Sequence, residues 1–142
     1  MIIGITVGAY DLFHIGHLNL LRNARAQCDR LVVGIAGSDR IFKYKNKRPV
    51  FTDEERLDIV GNCRFADEVF LNETNPNLVD SYIGLAVQYG ATRWFVGSDW
   101  QGSSKWLEIG GELEKMGCEL IYLPHTGGVS TTEIYKRIKD AV

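Results

Sequence analysis

At 142 residues, with 45% hydrophobic and 24% charged content, the chain is long enough to bury one core without staples. Its net charge of −2 gives no general pull towards nucleic acid or an anionic membrane, so any basic cluster must act locally. Cys28, Cys63 and Cys118 form no CxxC pattern, which argues against a zinc site or a disulfide frame and for reduced thiols.

In chain order, apolar runs alternate with helical patterns. Strands are predicted over 2–7, 31–36, 67–71, 93–97 and 119–123, and helices over 16–27, 53–62, 76–89, 103–116 and 131–140. Alternation of this kind predicts an α/β fold with a parallel sheet and right-handed crossovers, in one domain over 1–142. Ligands in such folds sit beyond the carboxyl ends of the strands. No run of about 18 apolar residues occurs. Met1-Ile2-Ile3-Gly4 opens a strand without a charged leader, so the expectation is a cytoplasmic chain with no membrane partner.

Residues 8–17, Gly8-Ala9-Tyr10-Asp11-Leu12-Phe13-His14-Ile15-Gly16-His17, join the first strand to the first helix. A helix start offers unpaired N–H groups and a positive dipole end, which suit phosphate. His14 and His17, three residues apart, lie on one face of that first turn. Taken alone, His-x-Gly-His is as compatible with two surface histidines at a helix start; the preceding Gly-x-x-Asp and strand favour a polyphosphate site. Asp11 suits orienting the loop or binding metal-bridged phosphate better than acting as a base.

Arg40 to Arg48 holds five cations in nine residues, read as a basic loop: a solvated run or, beside a phosphate site, a flap over anions. Thr52 and Glu55 form a capping box at the start of the second predicted helix. Gly97-Ser98-Asp99-Trp100-Gln101-Gly102 follows the fourth strand. Thr126-Gly127-Gly128-Val129-Ser130-Thr131 opens the last helix, a second anion-receiving N-terminus.

These motifs, in this order, resemble the HxGH nucleotidyltransferase superfamily, within it the cytidylyltransferases, nearest the glycerol-3-phosphate cytidylyltransferase type. The resemblance implies a Rossmann-like domain with a five-stranded parallel sheet and helices on both faces. It implies transfer of CMP from CTP to a small phosphate- or phosphonate-bearing acceptor, glycerol 3-phosphate first, with release of pyrophosphate. It assigns catalysis to His14, His17, Lys45 and Arg64. Nucleotide binding falls to Gly8, Ala9, Tyr10, His14, Gly16, His17, Lys47, Gly97, Asp99, Thr126, Gly128, Val129, Ser130 and Thr131. Acceptor binding falls to Asp11, Asp39, Lys45, Arg56, Arg64 and Trp100. Mg²⁺ would ride mainly on the triphosphate with no dedicated metal site in the protein, and the partners would be CTP, the acceptor and a second copy of the chain, with no nucleic acid. His125 stands where the family has Arg, exchanging a permanent bidentate cation for an imidazole. An adenylyltransferase resembling FAD synthetase and a catalytically silent nucleotide-binding module are the alternatives. A class I aminoacyl-tRNA synthetase is set aside, since no KMSKS-like loop is present.

Overall fold

The computed structural model describes residues 1–142. Its elements are β1 (Ile3–Gly8), α1 (Ile15–Arg25), β2 (Arg30–Ala36), α2 (Ser38–Lys45), α3 (Asp53–Gly61), β3 (Glu68–Asn72), α4 (Val79–Tyr89), β4 (Arg93–Gly97), α5 (Ser104–Lys115), β5 (Glu119–Leu123) and α6 (Thr131–Ala141), with a short 3-10 turn at Ser98–Trp100. The five strands form one sheet in the order β3-β2-β1-β4-β5, all parallel. The sheet carries helices on both faces, as expected.

Alternation along the strands divides the core. Val32, Trp94 and Val96 pack with Tyr82, Leu85, Trp106, Ile109 and Leu113 of α4 and α5. Leu31, Val33, Ile35 and Phe95 pack on the other face with Leu21 and Ala24 of α1 and Val60 of α3. Successive side chains of a strand point to opposite faces, so buried parallel strands read as continuous apolar runs. Cys28 and Cys118 are buried free thiols and Cys63 is partly buried and free. No helix is long and apolar enough to cross a membrane.

The basic stretch departs from the loop reading. Residues 38–45 form α2, which leaves only 46–52 as connection. Its N-cap, Gly37, supplies no side-chain hydrogen bond. Tertiary contacts hold this helix instead: Ile41 is buried, and the Arg40 Nε–H donates to the Thr74 carbonyl at 2.6 Å. The capping box at α3 forms as expected, with Glu55 N–H to Thr52 Oγ1 at 3.1 Å and Thr52 N–H to Glu55 Oε1 at 3.0 Å.

The strand order places the topological switch between β1 and β4. β1 pairs with β2 along its whole length, from Ile3↔Arg30 to Gly8↔Ile35, but with β4 only at Gly4↔Arg93 and Ile5↔Trp94. Past those two pairs the strands part, and the Thr6 hydroxyl spans the start of the gap to the Phe95 carbonyl at 2.9 Å. A crevice opens there at the carboxyl end of the sheet, where ligands of open α/β sheets bind.

Candidate active site

The crevice is the floor of a cavity of about 460 Å³. Thr6 to Tyr10 and Val96–Gly97 line its base, His14, Gly16, His17 and Leu20 one wall, and Asp99–Trp100 the rim. Pro124 to Thr126, Val129 to Thr131 and Lys45 complete it. Two helix N-termini, those of α1 and α6, therefore face one space, an arrangement suited to several negative charges.

The two histidines build the start of α1 themselves. His14 is the N-cap, and its Nδ1 accepts the Gly16 N–H at 3.0 Å. The His17 Nδ1 accepts the His14 N–H at 3.2 Å, the reciprocal half of a capping box. The rings stack with centroids 3.7 Å apart. A Cβ on Gly16 would run into the His14 ring and Val129, so the glycine between the histidines permits the stack. With both Nδ1 atoms accepting, each neutral ring carries its proton on Nε2, and the network assigns that tautomer. Burial lowers the His14 pKa; burial, then the neighbouring His14, lowers that of His17 to about 4, against a smaller opposing pull from Asp11. Both rings are neutral Nε2–H donors at pH 7.

The loop from β1 to α1 is pinned from behind. Tyr10 and Leu12 adopt left-handed backbone, φ 52° and 49°, conformations that ordinary side chains seldom take unless neighbours dictate them. Asp11 supplies that constraint. Its carboxylate accepts from Val50 N–H at 2.8 Å and Phe51 N–H at 2.9 Å, and it is buried and absent from the cavity wall. Of the roles read for Asp11, loop orientation matches this placement, and contact with the acceptor does not.

Arg56, expected to point into the site, is fully buried and donates to protein oxygens throughout. Its partners are the carbonyls of Phe51 (3.1 Å), Ala9 (2.9 Å) and Ala36 (2.6 Å), Ser38 Oγ (3.2 Å) and Asp53 Oδ1 (2.6 Å). It ties the ends of β1 and β2 to the start of α3. Burial alone would raise the Asp53 pKa, but hydrogen bonds from Ser38 and the Arg56 charge outweigh it and hold the carboxyl below its ordinary value. Arg64 lies in a different depression, lined by Phe13, Leu18, Arg22, Ile59 and Phe65, with its guanidinium 5.9 Å from the Phe65 ring. Asp39 is exposed and pairs with Arg48 at 3.0 Å, and Lys47 is exposed outside the cavity wall. Gly128 sits just behind the wall at φ 76°, turning the chain so that Val129 to Thr131 face inward.

Lys45 does line the cavity, and burial, then Lys47 and Arg40, lowers its pKa. Ser130 caps α6 through the Glu133 N–H at 3.0 Å, and the α6 segment touches α1 through Asn19 Nδ2 to Thr126 Oγ1 at 3.1 Å. His125 lines the cavity with its Nδ1 3.8 Å from Asp99 Oδ1, so the imidazole standing where the family has Arg still faces the site. Thr6, Leu20, Val96 and Pro124 also line it and were not singled out from the sequence. Strand periodicity marks Thr6 and Val96 only as core, and nothing local shows that β1 and β4 part beside them. Phe42 and Tyr44 do not line the cavity; Arg48 covers the Phe42 ring at 4.6 Å.

Two anion-receiving helix ends, paired imidazole donors and a lysine over the switch point of a parallel sheet make a cavity suited to a polyphosphate. Comparison with known proteins agrees. The family model for cytidylyltransferase-like proteins matches residues 5–137. A glycerol-3-phosphate cytidylyltransferase of Bacillus subtilis (strain 168) is 34% identical over 138 residues, covering 94% of this chain and 95% of that one. Its counterpart in Staphylococcus aureus (strain NCTC 8325 / PS 47) is 33% identical, covering 96% of each chain. An FAD synthase of Korarchaeum cryptofilum (strain OPF8) is 30% identical over 94% of this chain and 89% of its own. Among solved structures, a lipopolysaccharide core biosynthesis protein from Thermoplasma volcanium GSS1 shares the fold with TM-score 0.68 at 19% identity, covering 89% of this chain and 97% of that one. The chain belongs to the cytidylyltransferase-like family, and its activity is nucleotidyl transfer.

Proposed function

We propose that the chain transfers CMP from CTP to the phosphate or phosphonate of a small acceptor, with glycerol 3-phosphate as the first candidate. The observation that carries the chemistry is the locked His14–His17 pair, whose Nδ1 atoms are engaged by backbone N–H groups while both residues line the cavity shared by two helix N-termini. The near full-length similarity to glycerol-3-phosphate cytidylyltransferases supports the choice of nucleotide and acceptor.

In this mechanism an anionic oxygen of the acceptor attacks the α-phosphorus in line, the bond to the bridging oxygen breaks, and pyrophosphate leaves with the bonding electrons. The nucleophile is already ionised, so no strong general base is needed. The imidazoles donate to phosphate oxygens whose charge grows in the transition state, and neutral, preaimed donors need no reorganisation to do so. Lys45 neutralises charge between nucleotide and acceptor. The N–H groups opening α6, with Ser130 and Thr131, receive the outer phosphates. Asp11 and Arg56 act by holding the loops, and Arg64 takes no part in this scheme.

Magnesium would supply charge neutralisation on the triphosphate. No three His, Cys, Asp or Glu side chains converge to hold a metal ion, so phosphate oxygens and water would be its main ligands, and Asp99 is the carboxylate on the cavity wall that fits beside them. Family resemblance supports a homodimer, which light scattering on the purified protein checks.

An aromatic cage for a quaternary ammonium would need rings around Trp100. Phe42 and Tyr44 lie elsewhere, which favours a glycerol phosphate over choline phosphate. The similarity to an FAD synthase keeps ATP with FMN as the second reading. The test is pyrophosphate release with Mg²⁺, each nucleoside triphosphate being paired with glycerol 3-phosphate, choline phosphate, ethanolamine phosphate, hydroxyethylphosphonate or FMN. CTP-dependent release with glycerol 3-phosphate, lost in His14→Ala/His17→Ala, is the expected result. Release with ATP and FMN alone would move the chain to the adenylyltransferases, and CTP binding without release would make it a silent module.

A further inference from the structure

Three rings from the segment that joins β1 to α1 close around one imidazole. The His14 ring stacks on His17 with centroids 3.7 Å apart, the Tyr10 ring meets it edge-on at 5.2 Å, and the Phe13 ring lies tilted at 5.6 Å. Tyr10 is the buried member of the three, although it lines the cavity with both histidines. Its ring lies over the Gly8 backbone, where an added Cβ would stand 3.0 Å from Tyr10 Cε2. Tyr10 reaches that place from left-handed backbone at φ 52°, which a bulky side chain adopts only against a steric cost. Strain at Tyr10 and the bare Cα of Gly8 thus serve the same end, a ring packed against His17.

The geometry of His17 depends on its staying neutral. Its Nδ1 accepts the His14 N–H at 3.2 Å, which an imidazolium cannot do because both of its nitrogens donate. Protonation would set two N–H groups against each other and open the capping box of α1. Apolar rings work against that charged form, since they displace water and offer no acceptor in its place. Burial is accordingly the first cause of the low His17 pKa, ahead of the His14 charge. The other groups that bear charge near His17 are Asp11, whose carboxylate is taken up by the Val50 and Phe51 N–H groups, and Lys45, Asp99 and His125 on the shared cavity wall.

We propose that Tyr10, aided by Phe13, is the positioning residue of His17: its ring seats the imidazole against His14 in one orientation and keeps water from it, so that His17 enters the reaction as a fixed, neutral donor. Tyr10 is thereby assigned to the histidine and not, as the family resemblance implies, to the nucleotide. The inference deepens the cytidylyl-transfer reading and rests on it.

The experiment compares wild type with Tyr10→Leu, Tyr10→Phe and Phe13→Leu. Proton NMR follows the His17 Cε1–H resonance, identified by its absence from His17→Gln, from about pH 7.5 down to about pH 5. CTP-dependent pyrophosphate release with glycerol 3-phosphate is measured over the same range. The wild-type resonance should hold its place throughout. Tyr10→Leu should raise the His17 midpoint by about one unit and carry the acid limb of kcat with it. It should also lower kcat at neutral pH about tenfold, with KM for CTP within about twofold. Tyr10→Phe, which keeps the ring, should restore most of each effect. Phe13→Leu should move the midpoint and kcat the same way by less; if Tyr10→Leu does not fold, an unmoved Phe13→Leu overturns the proposal. So would a folded Tyr10→Leu with His17 and kcat unmoved, a Tyr10→Phe that behaves like Tyr10→Leu, or a wild-type His17 that titrates near 6.5. If no CTP turnover occurs, the titration still decides. A moved midpoint keeps the seat and sinks the cytidylyl-transfer reading alone, and an unmoved one overturns the proposal as well.

Discussion

Two helices aim their N-termini at one cavity, and they are held in different ways. α1 is capped by its own reactive side chains, buries Leu21 and Ala24 completely, and follows a loop clasped by Asp11 and Arg56. α6 buries no residue, is capped by Ser130, and meets the rest of the site through Asn19–Thr126 and a long 3.4 Å contact from Thr131 Oγ1 to the Asp11 carbonyl. The first end is organised before any ligand arrives, which is where groups that stabilise a transition state belong. The second has little protein to lean on, and an anion would complete its contacts. Changes at α1 should therefore appear in kcat, and changes at α6 in the KM for nucleotide.

The largest effect should come from the clamp behind α1. Arg56→Met leaves Asp53 without its buried cation and three carbonyls without a donor, and should cost about 3–5 kcal/mol, read as a lower urea midpoint. Next, His14→Ala or His17→Ala should each lower kcat about 10²–10³-fold with KM for CTP little changed, and the double variant should lose less than the product of the two. A loss confined to KM would break the contrast between the helix ends.

The pH dependence of stability is a third test. Folding lowers the His17 pKa from 6.5 to about 4, so between those values the unfolded chain binds the proton first. Stability from this group is complete above pH 6.5 and is lost as pH falls towards 4, by on the order of 2–3 kcal/mol. His17→Gln keeps a capping-box side chain without a titrating ring, so the difference between its denaturation midpoint and that of wild type should shrink over that range. The smallest effect belongs to α6. Ser130→Ala removes one cap, about 1 kcal/mol, and should raise KM for CTP about threefold to tenfold with kcat within twofold.

Most of the fold could be read locally because each buried strand is a run such as Leu31-Val-Val-Gly-Ile-Ala36 between turn signals, and each crossover helix repeats its apolar residues at helical spacing. α2 could not. Asp39 in its first turn and Lys43 and Lys45 in its last suit a helix, but a single buried residue, Ile41, gives no apolar face to mark it, and the contact that seats Arg40 comes from Thr74, 34 positions away. The site divides in the same way. His14, Gly16 and His17 carry their geometry in their spacing, since a capping box needs only residues within one helical turn. Asp11 and Arg56 are indistinguishable from ligand-binding groups in a one-dimensional reading, because a charged residue beside a phosphate motif suits a substrate as well as a backbone.

By itself, then, the sequence determined the order of the strands and of every helix but α2, the two helix N-termini with their donors, and the family. Those properties depend on residues close together in the chain. Only the tertiary structure decided that β1 and β4 part after two paired residues to open the cavity, and that Asp11 and Arg56 spend their charges on loops. It alone set Arg64 apart, in a depression of its own. Each of those outcomes depends on which distant backbone groups and charges the packed sheet brings within hydrogen-bonding or Coulombic reach.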